Sequence, residues 1–181
     1  MRIRTLSLAV LCMLGCDGDG PASPEIGYSL SGSSAVVTGG GEFLLGGFIP
    51  FDFSVSGVQH ADGSATGEFR FSAHVDPFVY AFHARVVCVA VDRVNHRAWI
   101  GGVITENRST DPDLQLDIHQ PGRDVWFRVL DNGEGEQTAA DRMTFIGFTG
   151  SAGVITSQEY CDRQLWLNEG QVLSKGNIQV R

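Results

Sequence analysis

The sequence predicts an all-β domain, a single antiparallel β-barrel or barrel-like sandwich of about eight strands. Apolar and polar residues alternate with a period of two in six or more runs, and heptad-like stretches typical of helices are missing. The runs are short and are separated by Gly, Asn and Asp turns. Many of the 23 glycines lie within or beside these runs, where they allow the bends that curl a sheet. We therefore favour barrel closure over two flat packed sheets.

The first clear pair of strands is a hairpin. Apolar residues alternate over 51–55 and again over 69–73, with His60-Ala61-Asp62-Gly63 between the two runs. The Asp62-Gly63 pair supplies the positive φ that a tight hairpin turn needs. These residues predict two neighbouring antiparallel strands.

The next pair contains the most apolar strand. Alternation runs from residue 80 to residue 88, and Asn95 turns the chain into Ala98-Trp99-Ile100. Both faces are apolar from Val86 to Val91, which is typical of a strand covered on both sides. Further strands are predicted over 114–118, 125–129, 142–148, 165–167 and 177–180.

The amino terminus has the pattern of an export signal. Two arginines precede an apolar run of about ten residues, too short for a membrane span of roughly 20. Met13-Leu14-Gly15-Cys16 resembles the lipobox of bacterial lipoproteins, which implies attachment of a lipid to Cys16 and removal of residues 1–15. The alternative is an ordinary cleaved signal with Cys16 left as a thiol. Lipidation would anchor the protein to the cell membrane or the outer membrane of a bacterium.

Residues 16–34 predict a lipidated cysteine followed by a flexible tether, because Gly, Ser, Pro and Asp bury too little surface to order a chain. Residues 35–181 contain no second linker and predict one domain. Without residues 1–15 the chain keeps 11 basic and 21 acidic side chains, a net charge of −10. That charge disfavours nucleic acid as a partner and leaves the lipid as the attachment to a membrane.

Of the four cysteines, Cys12 leaves with the signal and Cys16 would carry lipid. The remaining pair, Cys88 and Cys161, predicts a disulfide, since an exported chain enters an oxidising compartment. A metal site or a catalytic thiol is disfavoured because no Cys-x-x-Cys spacing exists.

Five separate strings occur in a characteristic order and spacing: 60–64 with Gly67, 88–91 with 98–103, 129–135 with Asp141, Cys161, and 176–180. Together they resemble an uncharacterised family of exported bacterial β-rich proteins with a DNGEG turn and a C-terminal GNxxV ending. The resemblance implies a shared β fold and export but no activity.

The DNGEG turn is the main candidate for metal chemistry. Asp131, Asn132, Glu134, Glu136 and Asp141 place five oxygen-bearing side chains within eleven residues. Calcium prefers such oxygen ligands, and the glycines would let the loop fold around it. The spacing is not that of an EF-hand, and Asp-Asn-Gly is also a common hairpin turn with solvated acids.

Two functions remain open. The first is a non-enzymatic, lipid-tethered binding or structural module whose partner is a small ligand or another envelope protein. The second is an enzyme of the isomerase or cyclase kind that uses a barrel cavity on a small apolar substrate. Its candidate catalytic residues are His74, His83 and Arg85, which either a barrel interior or a sheet surface could display, with tryptophans as cavity walls.

Overall fold

The computed structural model describes residues 34–135, 138–166 and 170–181. The predicted signal, Cys16 and nearly all of the predicted tether lie outside these ranges. Within the described residues the chain forms nine β-strands, three short 3₁₀ helices and one α-helix. The strands are β1 (Ala35–Leu45), β2 (Ile49–Gln59), β3 (Ala65–Val75), β4 (Phe78–Asp92), β5 (Arg97–Asn107), β6 (Asp124–Leu130), β7 (Arg142–Met143), β8 (Gly147–Phe148) and β9 (Gln171–Val180); the 3₁₀ helices are Pro112–Gln115, Asp117–His119 and Ser151–Gly153; and α1 is Ser157–Arg163.

The strands close into an antiparallel barrel. Strands β1 to β6 pair in chain order, β6 pairs with β7, and β9 lies between β7 and β1. Over the described part of the chain, eight strands form the barrel and β8 is an additional short strand beside β6. The predicted all-β barrel of about eight strands is confirmed.

Side chains fill the barrel interior. The alternating residues of β2 and β3 predicted to share one face point inward, and Phe69 and Phe71 are 1% and 3% exposed. Their rings each lie 5.1 Å from the ring of Phe127 on the opposite wall, in edge-to-face contacts. Such contacts add to the stabilisation from apolar burial. The centre of the barrel is therefore a packed core, as small barrels often have.

Glycines make the bends at which β9 joins β1. Gly176 has φ +105°, and a Cβ atom there would lie 2.1 Å from the carbonyl oxygen of Gly40. The pairing of these strands also shifts register between Glu42 and Phe43. Only glycine permits this backbone approach, and bends of this kind let a sheet curl until its edges meet.

A second apolar cluster covers the outside of the wall formed by β4, β5 and β6. Trp99, Trp126, Val154 and Tyr160 are each 0% exposed, and Leu165 and Trp166 pack against them. Helix α1 supplies Tyr160 and also Cys161, which is bonded to Cys88 of β4. The predicted disulfide and the predicted two-sided burial of this strand are both confirmed.

Helix α1 fits closely because β5 carries no side chain at Gly101. A Cβ atom there would lie 2.6 Å from Cys88 Sγ and 2.6 Å from Ser157 Cβ. The Ser157 hydroxyl donates to the carbonyl oxygen of Gly102 at 2.7 Å, and its backbone N–H donates to Asp124 at 2.7 Å. These contacts fix the start of the helix on the barrel wall.

The strand predicted over 114–118 is wrong, because this segment forms two 3₁₀ turns. Asp111 accepts a hydrogen bond from the backbone N–H of Asp113, and Pro112 occupies the first turn. A capped proline turn favours helical dihedrals over extended ones. Leu116 and Ile118 are exposed by 57% and 37%, so their alternation with polar residues does not mark a buried face.

The strand predicted over 165–167 is also wrong where the structure describes it. Trp166 has φ +60°, a left-handed conformation that extended strands do not use; Leu167 lies outside the described residues. Helix α1, just before it, was not predicted. Its signal is Thr156-Ser157-Gln158-Glu159, in which the Thr156 side chain accepts from the N–H of Glu159, the capping-box spacing.

The predicted strand over 142–148 is split. Its two ends, β7 and β8, pair with β6, while Thr144 bonds to Arg128 through both its backbone and its side chain. None of the helices in residues 34–135, 138–166 and 170–181 is long and apolar enough to cross a membrane.

Candidate functional site

The turns of the chain lie at the two ends of the barrel. The first end contains the start of β1, the β2–β3 and β4–β5 turns, the DNGEG turn and the end of β9. The pocket end contains the β1–β2 and β3–β4 turns, the segment 108–123 and the segment between β7 and β8. An apolar cavity opens at this second end, so we call it the pocket end.

The cavity has a volume of about 170 Å³. The inner lining rings, Phe43, Phe71 and Phe82, are 2% to 4% exposed, whereas Phe145 at the mouth is 47% exposed. Among the described residues, none that lines the cavity is charged. The full lining consists of Phe43, Leu45, Phe51, Phe71, Tyr80, Phe82, Leu114, Phe145, Ile146 and Phe148.

The lining rings support one another. Phe43 and Phe51 stack with their centroids 5.6 Å apart, and Phe51 lies 5.9 Å from Tyr80. On the other side, Phe82 lies 5.6 Å from Phe148. Rings at these separations attract each other through dispersion and their quadrupoles. The pocket is therefore walled by rings that hold each other in place.

One polar contact lies at the pocket wall. The Tyr80 hydroxyl donates to Asp111 Oδ2 at 2.7 Å, and this hydrogen bond, together with burial and the nearby negative charge, raises the pKa of the tyrosine. Asp111 also caps the first 3₁₀ turn. The bond ties the segment 108–123 to β4, so the pocket's polar group is already satisfied and its open surface stays apolar.

Asn107 holds the same segment from inside. Its side-chain amide donates to the carbonyl oxygens of Leu114 at 2.7 Å and His119 at 3.0 Å, and its oxygen accepts from the N–H of Ser109 at 2.9 Å. Three hydrogen bonds from one side chain fold the segment back over the barrel rim. This places Leu114 in the pocket wall.

His119 packs behind the pocket, between two of its rings. Its ring lies 4.4 Å from Phe148 and 6.4 Å from Phe82, and its Nδ1 has no hydrogen-bond partner in the described part of the chain. Burial lowers the pKa of His119, and a hydrogen bond with the backbone of Asp113 opposes that effect. The buried ring favours the neutral form.

We expect acid to destabilise the domain through His119. The unfolded state takes up a proton as pH falls through about 6.5, while the folded state, with its lowered pKa, does so only at lower pH. The free energy of unfolding therefore falls as pH drops from 7 to 5. Denaturant titrations should show a flatter pH dependence for His119→Gln. The exposed His74→Gln is the control, and an equal flattening in both variants would contradict this assignment.

The DNGEG turn and the nearby Asp141 close a gap between β9 and its neighbours in the barrel wall, and we call this gap the seam. Strand β7 pairs with β9 only at residues 171–172. Further along β9, Asp141 accepts the N–H of Ile178 at 2.6 Å and Asp131 accepts the N–H of Val180 at 2.9 Å. The two carboxylates thus take the place of a neighbouring strand.

Their second oxygens bond within the turn itself. Asp141 accepts the N–H of Asn132 at 2.8 Å, and Asp131 accepts the N–H of Gly133 at 2.8 Å. Glu134 accepts from the side chain of Gln179 at 2.7 Å, and Glu136 lies outside the described residues. Within the described ranges no group of three or more His, Cys, Asp or Glu side chains is arranged to hold a metal ion. Calcium binding at this turn stays a prediction.

The candidate catalytic residues predicted from the sequence lie on the outer wall of the barrel. His74 and Arg85 are exposed, and the His83 side chain is 40% exposed, with Nδ1 3.6 Å from Glu106. Their strand neighbours Phe82 and Ala84 are the residues that face the core. The structure therefore does not bring these candidates together with the cavity, as a barrel-cavity enzyme would require.

The tryptophans also lie away from the pocket. Trp99 and Trp126 belong to the cluster under α1, so core packing accounts for them. Sequence reasoning missed the pocket end, the role of Asn107 and the seam made by Asp131 and Asp141. The alternating phenylalanines indicate an apolar face, but nothing local shows which rings are left uncovered at the barrel rim.

The chain matches no protein-family model, no curated protein and no solved structure.

Proposed function

We propose that the protein is an exported, lipid-anchored envelope module of a bacterium, a non-enzymatic barrel that binds a small apolar ligand. The observation that carries this proposal is the uncharged cavity at the pocket end, set against a barrel interior that is otherwise filled by side chains. A concave apolar site in a barrel mouth is a common form of small-molecule site.

The direction of β1 suits a tethered receptor. The described chain enters β1 at Ala35, at the end opposite the cavity. A lipid on Cys16 would thus attach to the domain through the end of the barrel at which β1 begins.

Lipid attachment has a direct test. Cells expressing the wild-type chain should incorporate labelled palmitate into the protein and retain it in the membrane fraction. Of these two properties, Cys16→Ser should abolish palmitate incorporation, because the acceptor thiol is gone. Cys12→Ser, which removes a thiol within the predicted signal, should change neither. Palmitate incorporation by Cys16→Ser, or a soluble wild type, would refute the anchor.

Ligand binding is tested separately. Native mass spectrometry of residues 17–181, exported to a periplasm behind a cleavable signal and purified without detergent, should show a small apolar adduct or uptake of an added apolar probe. A protein that takes up no probe would contradict the binding role even if the anchor is correct.

A further inference from the structure

We propose that the ligand of the pocket end is a compact neutral aromatic compound of about one ring, and that the site excludes long acyl chains. This inference rests on the proposed function and names the ligand class. It follows from the volume of the cavity, its closed floor and the chemistry of its walls.

The volume sets the ligand's size. The cavity measures about 170 Å³, close to the roughly 150 Å³ of an apolar protein cavity known to bind benzene. An extended fatty chain needs several times the length of such a space. A one-ring compound fits without movement of the walls.

The floor prevents a longer ligand from reaching further in. Phe71 lines the cavity and also packs against Phe69 at 5.6 Å and Phe127 at 5.1 Å, at the centre of the barrel. Phe69 and Phe127 are 1% and 0% exposed. A chain that extended beyond the floor would have to displace this packed core, whose interior has the density of a crystal.

The walls favour an aromatic occupant. Seven of the ten lining side chains carry rings, which can offer both faces and edges to a planar guest. Aromatic pairs gain attraction beyond simple area burial. Because the lining carries no charged side chain and the Tyr80 hydroxyl is occupied by Asp111, an ionised ligand would lose hydration without finding a partner.

The test compares two fluorinated probes on residues 17–181, exported to a periplasm behind a cleavable signal so that the disulfide forms. Fluorobenzene represents the one-ring class, and 12-fluorododecanoate represents an acyl chain. Binding is followed by ¹⁹F NMR line broadening and by the rise in melting temperature that a ligand of the folded state produces. We expect fluorobenzene to bind at least tenfold more tightly than 12-fluorododecanoate.

A matched pair of variants locates the binding. Ile146 lines the cavity, so Ile146→Trp should fill it and weaken fluorobenzene binding at least tenfold. Ile155 is 59% exposed in another loop and is absent from the lining, so Ile155→Trp should leave the affinity within twofold. Far-ultraviolet circular dichroism confirms that both variants are folded before binding is compared.

Each other outcome overturns a defined part of the proposal. If 12-fluorododecanoate binds as well as fluorobenzene and Ile146→Trp weakens it, the pocket is a ligand site but the one-ring class is wrong. If fluorobenzene binding is the same in Ile146→Trp and Ile155→Trp, the site is elsewhere. If neither probe binds the wild-type pocket, the proposed function fails together with the ligand class.

Discussion

Replacing Cys88 and Cys161 by alanine should lower the melting temperature of the exported domain by about 10 °C. The disulfide joins residues 73 apart in the sequence, and the chain-entropy model assigns a loop of that length about 4 kcal/mol. For a domain of this size, 1 kcal/mol corresponds to roughly 2–4 °C. The loss of local stability should be greatest at α1, since the bond attaches that helix to β4. Differential scanning calorimetry of protein purified from a periplasm measures it.

Helix detachment gives a second readout. With the bond removed, the backbone amide hydrogens of α1 should exchange with solvent faster. The amides of β2 and β3 should remain the more strongly protected against exchange. The single variant Ser157→Ala is the control for lost helix contacts, because it removes the hydroxyl that donates to the carbonyl oxygen of Gly102 and approaches that of Val125 and leaves the disulfide intact. An unchanged melting temperature, with both native thiols labelled by a maleimide, would show that the bond does not form.

Replacing Asp141 by alanine should destabilise the domain by roughly 3–5 kcal/mol. The side chain is 6% exposed and accepts the N–H groups of Asn132 and Ile178. Hydrogen bonds to a charged acceptor contribute about 1.5–3 kcal/mol each, and the variant leaves the donors unpaired at a buried position. Chemical denaturation monitored by circular dichroism gives the change in the free energy of unfolding.

Glu134→Ala is the matched control for Asp141→Ala. The Glu134 carboxylate bonds with the side chains of Asn177 and Gln179 in exposed hydrogen bonds, so its loss should cost within about 0.5 kcal/mol, as at most surface sites. Equal effects of the two variants would contradict the seam. A fall in stability on adding a chelator to the wild type, absent in Asp141→Ala, would instead support a calcium site at this turn.

The acidic turn shows why a motif alone did not define a role. Five oxygen-bearing side chains within eleven residues form the same sequence pattern whether they bind an ion or accept hydrogen bonds from a neighbouring strand. The donors that Asp131 and Asp141 bond are on β9, 49 and 37 residues later in the chain. Only closure of the barrel brings those N–H groups to the carboxylates.

The histidine candidates make the same point about strand faces. Alternation correctly placed His83 and Arg85 on one face of β4, but a period of two does not say which face turns inward when both carry apolar residues elsewhere along the strand. Phe82 and Ala84 took the interior position. Burial of the face with the larger apolar area thus set the orientation of β4, and this left the His83 side chain on the outer face.

The sequence by itself determined the strands with clear alternation, the Asp62-Gly63 turn, the barrel class and the Cys88–Cys161 pair. Each of these depends on local geometry or on the small number of cysteines left to pair. Tertiary structure alone decided where the barrel closes, which acids pair with β9, and which rings remain uncovered as a cavity. Those features depend on contacts between residues far apart in the chain, and local alternation carries no information about which distant partner a strand will meet.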